Sequence, residues 1–262
     1  VTTELQDGIP VPVADVTVVT AAFNAHAVIA RAVESVARQT FRPLEHIVVD
    51  DGSTDGTAEL LRKLESQHQT LRVISQINQG AGAARNAGIR LARGRYIAFL
   101  DADDFWDPGK LEAQLAFMQK SGASFTYGSY RVKRRGSNDP DRETNPPSVL
   151  TYNDLLRGCP IGCLTVMFDT SIHGKQEMPN VRRGQDWGLW LKLTRTGRNA
   201  YRYPGTLATY SSGGSSLSSN KVAKIADIYS IYRAQERIGA LESAWLLALH
   251  AVGAEIRRRR GS

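Results

Sequence analysis

Residues 96–104 read Tyr-Ile-Ala-Phe-Leu-Asp-Ala-Asp-Asp, an unbroken apolar run that ends in three carboxylates within four positions. A strand buried on both faces shows no polar alternation, so Tyr96–Leu100 has the pattern of a central strand in a parallel sheet. In open α/β sheets, ligands sit beyond the carboxyl ends of the strands. Asp101 and Asp103, one residue apart at such an end, can point into one crevice. There they can offer oxygen ligands to a hard cation such as Mg²⁺ or Mn²⁺. For Asp104 and Asp107 the favoured reading is loop solvation and helix capping.

Outward from this stretch the pattern repeats. Val16–Thr20, Glu45–Val49 and Leu71–Ser75 are short β-rich runs that read as strands. Between them, Val28, Ile29, Ala32, Val33 and Val36 recur at helical spacing, as do Leu60, Leu61 and Leu64. Ala83, Ala84, Ala87 and Leu91 do so again before Tyr96. Asn24 is expected to cap the first helix and Gly94 to close the third. Asp107 and Pro108 should open a fourth helix carrying Leu111, Leu115 and Met118, ended by Gly122 and followed by a strand at Ser124–Tyr127. This alternation over 15–127 predicts an α/β fold: a largely parallel sheet with helices on both faces.

The second half is less regular. Residues 133–148 are polar and rich in proline and read as a loop, as does the Ser/Gly run 211–219. Asp186–Arg195 reads as a helix, and 222–256 as helical throughout. The segment Ala240–Ile256 is apolar and ends in Arg257, Arg258, Arg259 and Arg260. Such a segment suits a peripheral helix on an anionic membrane surface. It suits equally a docking or homodimer helix with a solvated basic end.

The formal net charge of +7 favours anionic partners. No recognised nucleic-acid module or aromatic-interleaved basic patch appears, so nucleic acid is not the expected partner. Two cysteines, Cys159 and Cys163, and five scattered histidines have no zinc spacing. They read as buried thiols and ordinary core or surface histidines. With no visible signal peptide and no apolar run of membrane-spanning length, a cytoplasmic location is the expectation, with peripheral contact at the inner face of the cell membrane.

Four segments in order, V-T-A-A-F-N at 19–24, V-D-D-G-S-T-D-G-T at 49–57, N-Q-G-A-G-A-A-R-N-A-G at 78–88 and F-L-D-A-D-D at 99–104, resemble glycosyltransferase family 2. Its members are inverting enzymes of the Rossmann-like GT-A fold. The resemblance covers roughly 15–128. It implies a nucleotide site at Ala21, Phe23, Asn24, Asp51, Arg85, Asp101 and Ala102. Within it, Asp51 would bind the uracil ring, Phe23 would stack near it, and Asp101 would face the ribose or donor sugar. Asp103 would be the metal carboxylate, with Mn²⁺ or Mg²⁺. Ala21 and Ala22 depart from the commoner Pro-Thr/Ser.

The stretch G-Q-D-W-G-L-W-L at 184–191 is similar to the family's acidic segment before a Leu-Trp helix. It makes Asp186 the catalytic base, with Gln185 where a Glu is frequent. An N-cap role for Asp186 stays open. Trp187 and Trp190 are core residues or a sugar platform, with core favoured for Trp190. The tail Y-S-S-G-G-S-S-L-S-S-N-K at 210–221 resembles a subgroup that builds capsular and cell-wall polysaccharides. Ser211 replaces an Arg there, and Lys221 could serve the diphosphate instead.

Taken with the residues, the resemblance implies three regions: a nucleotide-sugar half at 15–128, an acceptor half at 129–220 and a C-terminal helical segment at 221–262. It implies transfer of a hexose from a UDP-sugar to a hydroxyl of a glycan or lipid-linked glycan in bacterial surface polysaccharide synthesis. The alternatives are a catalytically inactive nucleotide-sugar-binding module and a sugar nucleotidyltransferase. The latter would need a Gly-rich basic loop where Phe23-Asn24-Ala25-His26 stands.

Overall fold

The computed structural model describes residues 5–6, 9–10, 15–134, 136, 141–213 and 221–259, with side chains described for 15–134, 136, 141–213, 223 and 225–249. Its strands are β1 (Leu5–Gln6), β2 (Ile9–Pro10), β3 (Val16–Ala22), β4 (Glu45–Asp50), β5 (Leu71–Ser75), β6 (Tyr96–Phe99), β7 (Phe105–Trp106), β8 (Phe125–Tyr127), β9 (Arg131–Arg134), β10 (Arg142–Glu143), β11 (Val149–Leu150), β12 (Met167–Asp169), β13 (Ala200–Arg202) and β14 (Ala208–Ser212). Its α-helices are α1 (Ile29–Ala37), α2 (Thr57–Gln67), α3 (Ala81–Leu91), α4 (Lys110–Ser121), α5 (Tyr152–Arg157), α6 (Thr170–His173), α7 (Gln185–Thr194), α8 (Lys221–Ser230) and α9 (Ala240–Arg259).

Eight strands form one sheet in the order β11-β13-β8-β12-β6-β3-β4-β5. The run β6-β3-β4-β5 is parallel throughout. Strand alternation sorts its side chains cleanly. Val16, Val18, Tyr96, Ala98 and Leu100 join the core under α1, α2 and α4. Val19, Ile97 and Phe99 join the opposite core, where α7 contributes Leu189 and Trp190. The result is the expected mixed, mostly parallel α/β sheet flanked by helices.

Several local expectations are corrected. Strand β12 was not foreseen; it lies between β8 and β6, antiparallel to both. A three-residue strand carries too little pattern to announce this. Helix α1 begins at Ile29 without a side-chain cap, because Asn24 lies five residues upstream in the left-handed region at φ 48°. Its carboxamide oxygen accepts from the Thr54 amide at 2.8 Å instead. Gly94 is not a cap either. It permits close approach to β3, since a Cβ there would lie 2.6 Å from the Thr17 nitrogen.

Asp107 and Pro108 form a turn before α4, and the Asp107 carboxylate pairs with Arg131 at 2.7 Å. The end of β9 and all of β10 fall within the stretch read as a loop, and β9 and β14 belong to a second, four-stranded sheet, order β10-β9-β14-β7. The C-terminal helical stretch is broken between a π-turn at Ile231–Gln235 and the start of α9, where Arg237 takes φ 58°. The remainder of the Ser/Gly run, 214–219, lies outside the described residues.

Candidate active site

The parallel strands deliver their carboxyl ends to one edge, and the loops that follow are tied to one another by hydrogen bonds. The Asn24 amide donates to Ser53 Oγ at 2.9 Å, and the Thr54 amide returns the link to the Asn24 side chain. The buried Asp51 carboxylate organises the next loop. Its Oδ1 accepts from Gln76 Nε2 at 2.7 Å and the Gln79 amide at 2.9 Å, while Oδ2 accepts from the Gly80 amide at 2.7 Å. A carboxylate has about four lone-pair positions, so Oδ2 retains one for a ligand donor. Gly80, at φ 92°, holds a backbone conformation that a side chain would strain, and starts α3.

Above Asp51 lies a cleft of about 690 Å³ whose walls include Ala21, Phe23, Gln79, Arg90 and Arg182. That volume accommodates a nucleotide-sized ligand. Phe23, on this wall, is 51% exposed, which leaves its ring accessible to a ligand face. The far wall is fastened by Asn86, missed in the sequence. Its amide donates to the Met178 carbonyl at 2.9 Å and its oxygen accepts from the Met178 nitrogen at 2.7 Å. This reciprocal pair anchors the segment carrying Arg182 to α3, 92 residues away.

Beyond the end of β6 the charged groups converge. The Arg85 guanidinium, from α3, makes an ion pair with Asp101 and is only 10% exposed. Asp186 lies in the first turn of α7, within the electrostatic reach of both. Burial raises the Asp186 pKa, Arg85 and the Trp187 amide pull it down, and the Asp101 charge pushes it up again. A carboxylate so raised is a stronger base than an exposed one. Gln185 is buried beside it. A Cβ on Gly82 would lie 3.2 Å from Gln185 Cγ, so a side chain at 82 would crowd the contact between α3 and α7.

Asp104 is a correction. It is fully buried rather than solvated: Oδ1 accepts from the Ser211 amide at 2.8 Å, and Oδ2 has no hydrogen-bond partner among the described residues. Burial, and then the neighbouring Asp101 charge, push its pKa up to about 8. Arg31, on α1, was also not foreseen. Its guanidinium donates to the Asp103 carbonyl at 2.9 Å and to Ser211 Oγ at 2.7 Å, and lies 4.3 Å from the Phe105 ring centroid. The Asp101–Asp104 turn, with Ala102 and Asp103 both half-buried, is thereby held between α1 and β14.

Trp187 is likewise corrected. It is 3% exposed, its indole N–H donates to the Leu155 carbonyl at 2.8 Å, and it meets Tyr232 edge-on. A ring committed to the core on these sides offers no platform to a sugar. Trp190 is fully buried, as expected. The side chain of Lys221 lies outside the described residues.

Among the described residues, no three His, Cys, Asp or Glu side chains form a ready-made metal cage. The carboxylates at the strand end are Asp101, ion-paired with Arg85, and Asp103, beside Asp104 Oδ2, which has no hydrogen-bond partner among the described residues. One or two carboxylates completed by substrate phosphates is the usual protein share of a Mg²⁺-type site, so the residues present fit such an ion.

Comparison with known proteins agrees with this geometry. Residues 17–201 match the family model for glycosyl transferase family 2. The chain is 38% identical over 244 residues, covering 93% of it and 97% of the relative, to a Bacillus subtilis (strain 168) protein assigned to teichuronic acid biosynthesis as the glycosyltransferase TuaG. It is 34% identical over 212 residues, 80% of this chain and 82% of the relative, to the Escherichia coli UDP-Glc:alpha-D-GlcNAc-diphosphoundecaprenol beta-1,3-glucosyltransferase WfgD.

In fold it is similar to S. aureus TarS 1–349 in complex with UDP-GlcNAc, with TM-score 0.66, 21% identity, and coverage of 89% of this chain and 70% of that one. It is similar also to the mannosyltransferase PcManGT of Pyrobaculum calidifontis in complex with GDP-Man and Mn²⁺, with TM-score 0.64, 18% identity, and coverage of 94% and 76%. These two likenesses bear on the fold alone, which is of the GT-A kind. The family match spans the strand ends, the acidic turn and the start of α7 in one continuous stretch, and the chain belongs to glycosyl transferase family 2.

Proposed function

We propose that this glycosyltransferase moves a hexose, with inversion, from a UDP-sugar to a hydroxyl of a lipid-linked glycan in the assembly of a bacterial surface polysaccharide. The observation that carries the reading is the convergence of Asp186, Arg85 and Asp101 beside a nucleotide-sized cleft. The activities of the relatives, UDP-glucose transfer to a diphosphoundecaprenol-linked GlcNAc among them, support the donor and the acceptor class. Residues 15–128 form the donor half and 129–220 the acceptor half, with 221–262 as a helical extension.

Phe23 covers one face of the base, and Asp51 Oδ2 accepts the uracil ring N–H at its remaining lone pair. Cytosine presents an acceptor at the equivalent ring nitrogen and meets the same carboxylate unfavourably. Bound at Asp103 with Asp101 alongside, Mn²⁺ or Mg²⁺ supplies positive charge to the departing diphosphate. Arg85 holds Asp101 in place. The Asp186 carboxylate takes the acceptor hydroxyl proton as the new bond forms on the opposite side of the sugar carbon.

Calorimetric titration with UDP, GDP, CDP and ADP, each with and without Mn²⁺, tests the donor site. UDP is expected to bind at least about tenfold more tightly than CDP, since one charge-assisted hydrogen bond is at stake. Mn²⁺ is expected to strengthen UDP binding further. Tighter binding of GDP would keep the transferase and change the donor, and failure of every nucleotide would remove the reading.

A peripheral membrane contact through α9 fits a lipid-linked acceptor. Leu246 is buried in the core, whereas Leu241 is 90% and Trp245 65% exposed, one turn apart on another face. In the sequence, Val252 and Ile256 follow at helical spacing ahead of Arg257–Arg260; the side chains from 250 onward lie outside the described residues. Among the described residues no helix is long and apolar enough to cross a membrane. The protein is expected to float with phosphatidylglycerol vesicles and not with phosphatidylcholine ones. Trp245→Asp should weaken flotation about tenfold. Loss of a dimer instead, seen by light scattering of the same variant, would assign the face to a second copy.

A further inference from the structure

A second cavity, of about 940 Å³, opens in the acceptor half between the β10–β11 segment and the end of α5. Its apolar side includes Pro146, Val149 and Ile161, and its rim carries Arg142 and Arg157. The two carboxylates on the same rim are each held by local hydrogen bonds. Glu143 accepts from Thr206 Oγ1, and Asp154 closes the capping box of α5 by accepting from the Thr151 amide at 2.9 Å. Neither arginine makes an ion pair among the described residues. The cavity therefore offers two guanidiniums with no carboxylate at ion-pair distance among the described residues, over an apolar floor, although Asp154 is near enough to Arg157 to feel its charge.

Its position connects it to the chemistry. Residues 158–163 line the cavity at Cys159 and Ile161, then run inward to Cys163. Cys163 is buried close enough to Arg85, Asp101 and Asp186 to feel all three charges. Tyr130 forms the partition. A Cβ on Gly162 would lie 2.7 Å from its ring, so only glycine lets residues 158–163 pass so close. Burial raises the Tyr130 hydroxyl, with Tyr210, Cys159 and Asp104 adding to the effect, which sets the ring between this cavity and the acidic turn.

We infer that this cavity receives the glycosyl diphosphate head of the acceptor, with Arg142 and Arg157 on its phosphates and the Tyr130–Ile161 wall directing the sugar toward Asp186. Guanidinium forks match phosphate oxygens bidentately, and the apolar floor suits the first carbons of a prenyl chain. The inference rests on the transferase reading and adds the acceptor's binding groups to it.

Cys159 is half-buried at this cavity and is not in a disulfide, so its alkylation reports occupancy. The probes are farnesyl diphosphate, inorganic pyrophosphate and UDP, with N-ethylmaleimide labelling of Cys159 followed by peptide mass mapping. Farnesyl diphosphate is expected to slow labelling about tenfold and pyrophosphate less, the scale of one charge-assisted contact pair. UDP should leave the rate unchanged. Arg142→Gln with Arg157→Gln should abolish the protection while calorimetric UDP binding stays as in the wild type.

An unchanged labelling rate with farnesyl diphosphate, or equal protection by UDP, overturns the inference. Protection that persists in a protein unable to bind any nucleotide would sustain the diphosphate site and remove the transferase reading, so the two failures are distinguishable.

Discussion

Asp186→Asn is expected to lower turnover by about 10²–10⁴-fold, the usual share of a general base, while UDP affinity stays unchanged. The carboxamide has the same shape and cannot take a proton. Its effect on stability separates chemistry from folding. The wild-type carboxyl is raised above its usual value of 3.8, chiefly by burial. The folded state therefore holds the proton more tightly than the unfolded state. Stability from this group is greatest below the ordinary carboxylate range and falls as pH rises through the raised folded pKa. At neutral pH the charge of this half-buried group is a net cost, which Asn removes. The variant should melt no lower than the wild type at pH 7, and lost activity with an unchanged or raised Tm points to chemistry. An Asn variant that keeps full turnover would falsify the assignment.

The parts of the fold that could be read in advance were those whose signal is local. Tyr96–Leu100 lacks polar residues because both faces of β6 are covered, and α1 and α4 expose their inner faces as periodic apolar positions. Asp101 and Asp103 stood out as candidates because they follow such a strand directly. What was not legible depended on distant partners. Nothing around Asp104 announces that the Ser211 amide, 107 residues on, meets it in a buried pocket. Arg31 looks like any exposed helix residue until β7 and β14 bring Phe105 and Ser211 to it. The insertion of β12 into the sheet follows from packing of the second half, and three residues carry no register of their own. Trp187 was ambiguous because an indole beside an acidic residue suits either sugar or core. Its bond to Leu155 decides for the core.

The coupling among Arg85, Asp101 and Asp186 yields the sharpest remaining expectation, because two substitutions should move one observable in opposite directions. The activity of a carboxylate base rises with pH through its pKa and then levels. Arg85 holds the Asp186 pKa down and Asp101 holds it up. Arg85→Met should therefore displace the acid limb of the kcat profile toward higher pH. Asp101→Asn should displace it toward lower pH, both by removing an anion and by releasing the guanidinium toward Asp186.

Stability should move unequally. Asp101→Asn leaves the Arg85 guanidinium, 10% exposed, with a neutral partner, at a cost of about 2 kcal/mol. Arg85→Met leaves Asp101, which is 27% exposed and within reach of water, and should cost less. Each variant is also expected to bind donor more weakly, so the profile is read in kcat at saturating donor. A merely structural pair would reduce activity by the same factor at every pH. Displacements in the same direction, or none, would mean that the titrating group on the acid limb is not Asp186.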